Sequence, residues 1–348
     1  MSQHTKGSIA QEIPRFARND KRGGARNDKR GGARNDGRAG EPWRGVHLLL
    51  TRNEQVDALI GEVPALAQMG VNSIVAEVDY DYAYQSHPEL RSANPIGEER
   101  ARALVRVCRA HGVRLIPQFQ CLGHQSWSRT THPLLTRYPQ FDETPGQFPN
   151  NEGIYCRSWC PQHPEVNPII FDLFDELLDV FEADALHVGM DEVFLIGSEH
   201  CPRCQGGDPA RLFARAVNDY YAHLAGQRGV EMLMWGDRLL DSAATGYGEW
   251  EAAANGTHPA IDLIPTDVIM CDWHYTERDE YPSIPLFLDK GFRVWPAGWK
   301  ETGATEALVD FARRHEDEHM LGYLCTTWGH VQAGELAQFA PLRAALRR

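Results

Sequence analysis

From Trp43 onward the chain repeats one pattern: a short apolar run, then a stretch in which apolar residues recur every three or four positions. Eight such runs occur, at 45–50, 73–79, 113–119, 185–189, 230–235, 267–272, 292–296 and 321–326. Each has strand length, and the stretches between them have helical periodicity. The clearest helix opens at Asp208-Pro209, a capping residue followed by proline at the first helical position. Its residues Leu212, Phe213, Ala216, Val217, Tyr220, Tyr221 and Leu224 form one apolar stripe. Strands alternating with amphipathic helices imply a parallel sheet, and eight repeats imply closure. The expected fold is therefore α/β, a (β/α)8 TIM barrel forming a single domain over 43–348. In that fold the reactive groups gather at the carboxyl ends of the strands.

Residues 1–42 do not follow the pattern. They hold three near-identical octads, 17–24, 25–32 and 33–40, built on Ala-Arg-Asn-Asp. With so little apolar surface to bury, ordering would cost backbone entropy without return, so this segment is expected to be a disordered low-complexity tail. It also lacks the apolar stretch of a secretory signal, which implies a cytoplasmic location. The first 40 residues carry ten Lys/Arg against four Asp/Glu, leaving 25 against 44, a net −19, for the rest. So acidic a body argues against a nucleic-acid partner, and no apolar stretch approaches the roughly 18 residues of a membrane span.

Polar and aromatic residues cluster where the eight runs end. The second run closes Glu77-Val78-Asp79-Tyr80-Asp81, the third Gln118 to His124, and the fourth His187-Val188-Gly189-Met190-Asp191-Glu192. Strand alternation puts Leu186, Val188 and Met190 on one face and His187, Gly189 and Asp191 on the other. Glu192 can join Asp191 only if the strand has already bent into its loop. The later runs close with Trp235-Gly236-Asp237, Asp272-Trp273-His274-Tyr275, Trp295 to Lys300, and Trp328-Gly329-His330, so five of nine tryptophans are assigned to one rim. Aromatic walls with carboxylates inside suit a sugar, since flat rings cover pyranose faces and acids bind hydroxyls and supply protons.

The His-Val-Gly-Met-Asp-Glu segment at 187–192 resembles the His-x-Gly-x-Asp-Glu signature of the glycoside hydrolase family 20 β-N-acetylhexosaminidases. The segment from Ile116 to His124 resembles that family's third strand, ending in Gly-His. The order of Glu77-Val78-Asp79, Cys160-Pro161-Gln162-His163, Trp235-Gly236-Asp237 and Val294-Trp295-Pro296-Ala297 is similar to the single-domain hexosaminidase D type. The resemblance implies a retaining exo-β-N-acetylhexosaminidase acting on glycans with terminal GlcNAc or GalNAc, by substrate-assisted, oxazolinium catalysis without a cofactor. It further implies that Glu192 is general acid and base and that Asp191 holds the acetamido N–H. His124 would hydrogen-bond Glu192 and be oriented by a carboxylate of the second strand, Asp79 in preference to Asp81, although Glu77, Asp79 and Asp81 share strand parity. Trp235, Trp328 and either Trp273 or Trp299 would wall the acetamido pocket, Tyr275 would donate to the acetamido oxygen, and Asp237 could receive a sugar hydroxyl.

Departures from the family pattern are also visible. Many members read Trp-x-Glu where this chain has Trp328-Gly329-His330, which leaves gluco versus galacto preference open. The first strand lacks the usual acid, with Arg44 as a weak substitute for a sugar contact. With a leader of 42 residues, the small domain that precedes many relatives' barrels is not expected, in keeping with the single-domain type. Two cysteine pairs, Cys156/Cys160 and Cys201/Cys204, could hold a structural zinc ion, with packed thiols as the plain alternative. Two other functions fit the rim: a non-catalytic glycan-binding barrel, and a conventional glycosidase using Glu192 with a distant acid such as Asp79. Oligomeric state is not legible.

Overall fold

The computed structural model describes residues 41–315 and 317–348; expectations for the N-terminal octads lie outside the described residues. Eight strands close into a barrel: β1 Trp43–Leu49, β2 Ser73–Glu77, β3 Arg114–Cys121, β4 Ala185–Gly189, β5 Glu231–Trp235, β6 Ile269–Trp273, β7 Arg293–Gly298 and β8 Gly322–Thr326. Every barrel pairing is parallel, and β8 returns to β1 with Trp43 opposite Gly322. The expected (β/α)8 class is the observed one. Each run read from the sequence matches a strand to within two residues at both boundaries.

Alternation along the strands produces two cores. Val75, Ile116, Ala185, Leu233, Ile269, Trp295 and Leu324 fill the barrel interior. Val46, Leu48, Ile74, Ala76, Leu186, Val188, Met232, Met234, Met270 and Val294 face outward and pack under the helices. At the amino-terminal end Trp295 lies across Gly45, where an added Cβ would come 2.2 Å from the indole. Only glycine admits that approach, and the Trp295 Nε1 proton goes to the Trp43 carbonyl at 3.2 Å.

The outer layer comprises α1 Asn53–Met69, α2 Glu98–Ala110, α3 Val166–Phe181, α4 Pro209–Tyr221, α5 Ser283–Asp289, α6 Thr302–Arg313 and α7 Ala340–Arg347, with shorter turns between them. Helix α4 begins as its cap predicts, the Asp208 carboxylate accepting the Ala210 N–H at 2.9 Å. The predicted stripe is buried at Leu212, Phe213, Ala216, Val217, Tyr220 and Leu224. Between β5 and β6 no long helix forms. Gly246, Gly248 and Gly256 all take positive φ there, and the segment breaks into short turns. It is organised instead around Arg238, fully buried, whose guanidinium donates to the carbonyls of Glu249, Trp250 and Ala252 at 2.7–2.8 Å. Among the described residues no helix is long and apolar enough to cross a membrane.

Candidate active site

Strand β4 stops at Gly189, and the backbone then turns sharply. Gly189, Met190 and Glu192 take φ of 66°, 76° and 48°, the left-handed region that costs a residue with a side chain about 1–3 kcal/mol. An added Cβ at Gly189 would meet the Gln120 amide at 2.0 Å, so glycine is required by both space and conformation. Outward-facing Met190 is buried in the outer core and anchors the bend. The two acids that follow therefore reach the same side chain. His124 Nε2 lies 3.3 Å from Asp191 Oδ2 and 3.0 Å from Glu192 Oε2, an ion-pair spacing to both without a straight hydrogen bond to either.

A polar chain supports this trio from inside the barrel. Gln120 on β3 donates its amide to Asp191 Oδ1. Gln118 donates to Glu77 Oε2 at 2.7 Å, and His47 Nε2 on β1 meets the same oxygen at 2.8 Å. Burial pushes Glu77 up to about 8, with Asp191's charge adding to the effect, and pushes His47 down to about 3. Burial likewise raises Asp79 and lowers His187. His124 behaves differently: burial opposes its charge, but Asp191 and Glu192 overcome that and hold it protonated well above its ordinary range. Asp191 is the mirror image, its burial outweighed by His124 and Gln120, which keep it ionised. The site thus concentrates charge in one His124–Asp191 pair beside Glu192, over a floor of neutral groups.

From β5, Asp237 fixes the backbone of this turn. Its Oδ2 accepts the Glu192 N–H at 3.0 Å and the Arg238 Nε at 2.6 Å, and its Oδ1 accepts Trp273 Nε1 at 3.2 Å. Burial raises Asp237 to about 6 although Arg238 pulls the other way. With its side chain 1% exposed and three protein donors on it, Asp237 is a positioning group; the sugar-hydroxyl role read from the sequence does not match its place.

The aromatic side is continuous. Trp235 is fully buried at the floor, 5.5 Å centre to centre from Trp328, which stacks obliquely on His47. Trp328 Nε1 donates to the Tyr275 hydroxyl at 2.5 Å, and Tyr275 lies 4.8 Å from Trp273 and 5.4 Å from Trp299. Both Trp273 and Trp299 thus belong to the wall.

Several expectations are corrected. Arg44 lies at the start of β1, its Nε bonded to the Gly70 carbonyl at 2.6 Å beside Tyr323 and Leu342, at the end of the barrel opposite the acids. Trp295 is at that end too, leaving four of the five assigned tryptophans near the site. Asp79 does not orient His124. Strand β2 ends at Glu77, and Asp79, at φ 41° in the following turn, accepts the Gln120 backbone N–H at 2.7 Å, so strand parity does not extend that far. Cys156 stands apart from the other three thiols, its Sγ 3.6 Å from the Glu192 carbonyl.

Other residues were not singled out from the sequence. His47, Gln118 and Gln120 are interior by alternation, and their polarity within apolar strands was the available signal. Tyr155, from the long β3–α3 loop, lies against Glu192 and packs on His124, Trp127, Phe194 and Trp250. Trp127 and Trp250 are 58% and 47% exposed, so they form an apolar shelf outside the acid pair. Chemically, one ionised acid, one imidazolium and a second acid within reach of an aromatic cavity can move a proton and hold an N–H or O–H donor. Ligand atoms of His124, Asp191 and Glu192 lie within 4.8 Å of one another and could also grip a cation, as could Glu143, Cys160, Cys201 and Cys204.

Residues 44–335 match the profile of the glycosyl hydrolase family 20 catalytic domain. A β-hexosaminidase of Akkermansia muciniphila is 30% identical over 108 residues, 31% of this chain and 21% of that protein. One from Emericella nidulans is 22% identical over 266 residues, 67% of this chain and 40% of that protein. Among solved structures, Flavobacterium johnsoniae chitobiase shares the fold at a TM-score of 0.66 and 19% identity, over 88% of this chain and 48% of its own. The chain therefore spans less than half the length of each of these relatives.

Proposed function

The chain belongs to glycosyl hydrolase family 20, and on that premise we propose that it is a retaining exo-β-N-acetylhexosaminidase removing terminal β-linked GlcNAc or GalNAc. The observation that carries the reading is the left-handed turn after β4, which brings two consecutive acids against one histidine at 3.3 and 3.0 Å.

In this reading Glu192 gives its proton to the glycosidic oxygen as the C1–O bond breaks. The substrate's own acetamido oxygen attacks C1 from the opposite face, forming an oxazolinium ion and retaining the configuration overall. Asp191, kept ionised by His124 and Gln120, accepts the acetamido N–H and balances the positive charge that develops on that group. Glu192, now a carboxylate, takes a proton from the incoming water. Trp235, Trp328, Tyr275, Trp273 and Trp299 enclose the acetamido group, and because Tyr275 accepts from Trp328 its own proton is available for the acetamido oxygen. Trp127, Tyr155 and Trp250 would cover the leaving group.

A panel of nitrophenyl β-glycosides with and without the 2-acetamido group, together with an N-acetyl thiazoline inhibitor, tests the proposal. Hydrolysis confined to 2-acetamido substrates with strong competitive inhibition is expected. Equal hydrolysis of plain glucosides or galactosides would overturn it.

A further inference from the structure

Outside the acid pair, the structure gathers Glu143, Cys160, Cys201 and Cys204, and we infer that these four residues form a tetrahedral zinc site that clamps the loop after β3 to the loop after β4. All four are buried, at most 1% exposed, and their ligand atoms lie within 4.8 Å of one another. Cys160 Sγ is 3.4 Å from both Cys204 Sγ and Cys201 Sγ. That is well beyond the ~2.05 Å of a disulfide. It is close to the ~3.8 Å that separates sulfurs sharing one zinc ion at about 2.3 Å.

The surroundings are built for anions. Glu143 Oε1 accepts the Ser198 N–H at 3.0 Å, and beyond that its buried carboxylate meets chiefly the Cys201 and Cys204 thiols. A carboxylate so placed, facing three thiols that are weak donors, calls for a cation. The sulfurs themselves receive donors: the Gln162 backbone N–H reaches Cys160, those of Arg203 and Cys204 reach Cys201, and the Gln162 side chain approaches Cys204 Sγ at 3.8 Å. N–H groups directed at sulfur fix its orientation, as supporting groups around metal ligands do. Soft thiolates in a four-coordinate arrangement select zinc over magnesium or calcium.

Local backbone structure places the ligands. Asp142 and Trp159 form an antiparallel bridge, with the Glu143 N–H on the Ser158 carbonyl at 3.0 Å and the Cys160 N–H on the Phe141 carbonyl at 2.6 Å, so Glu143 and Cys160 flank the bridged pair diagonally on one face. The tight turn at 201–205, closed by Gln205 N–H to Cys201 O at 3.0 Å, aims Cys201 and Cys204 the same way. The clamp joins the loop carrying His124 and Tyr155 to the loop that begins with Asp191 and Glu192. The inference is independent of the glycosidase reading.

The test is zinc content of the full chain, purified under reducing conditions and, separately, reconstituted with zinc and gel-filtered. About one zinc per chain is expected in wild type and in Cys156→Ser. Cys201→Ser and Cys204→Ser should fall by about tenfold or more in zinc content. Because these variants could lose their fold, wild type is also loaded with cobalt, where a thiolate-to-cobalt charge-transfer band is expected. Folded wild type that retains no zinc after reconstitution overturns the site. So does bound cobalt without the thiolate band, which would put the metal at His124, Asp191 and Glu192 instead.

Discussion

Asp237 accepts the backbone N–H of Glu192 at 3.0 Å, so a carboxylate on β5 sets the position of an acid that follows β4. The same oxygen receives Arg238 at 2.6 Å, and both side chains are buried. Asp237→Ala should strand the guanidinium and release the Glu192 turn, costing about 3–5 kcal/mol of stability. Turnover should fall together with it. Denaturant unfolding and kcat on a nitrophenyl N-acetylglucosaminide measure the two effects. Unchanged stability would refute the positioning role.

Glu192 and Asp191 are separable by leaving group. Glu192→Gln should lower turnover of a chitobioside by about 10²–10⁴, yet spare a substrate whose leaving group departs without a proton. Asp191→Asn should slow every 2-acetamido substrate alike, because the group it would hold in the proposed reaction is common to all of them. If Glu192→Gln cleaves the chitobioside at the wild-type rate, the acid is elsewhere.

The His124–Asp191 pair carries a pH signature. His124 is raised on folding, so its contribution to stability is complete below 6.5 and is lost as pH climbs through its folded value. Asp191 is lowered, so its contribution is present above 3.8 and is lost as pH falls through its folded value. The stability difference between wild type and His124→Asn should be greatest between those limits and shrink at alkaline pH. An NMR titration that finds the His124 ring deprotonating at its ordinary 6.5 would contradict the pairing.

Glu77 gives the opposite slope. Its carboxyl is pushed up to about 8 from an ordinary 4.5, so between those values the unfolded chain releases a proton that the folded chain keeps, and stability falls as pH rises. Glu77→Gln mimics the protonated form. Its stability relative to wild type should increase with pH across that interval, by up to about 1.4 kcal/mol per pH unit, and level off above it. A flat difference from pH 5 to 8 would show that Glu77 is ionised in the fold.

The barrel was legible because parity and period are local signals. Leu186, Val188 and Met190 separate from His187 and Gly189 in the sequence as they do in the barrel, where the first three join the outer core and the other two meet Trp235 and Gln120 inside. The adjacency of Asp191 and Glu192 was legible for the same reason. What failed was argument carried past the end of a strand: Asp79 was given the parity of Glu77, but the chain had already turned at φ 41°. Arg44 and Trp295 were placed on the wrong rim: Arg44 precedes its run, and Trp295, near the end of its run, is only the third residue of β7, which continues to Gly298. Long-range partners had no local trace. Cysteine spacing did not reveal that Glu143 stands where Cys156 was expected, and Tyr155 arrives from a loop whose path no pattern encodes.

Arg238 ties the Trp250 segment to Asp237, and Asp237 ties itself to Glu192. The shelf that would meet a leaving group and the acid that would protonate it are thus joined by a rigid strut of three side-chain bonds. In the proposed reaction a bulky aglycone pressing on Trp250 would load Glu192 through that strut, tying shape preference at the mouth to bond cleavage at its base.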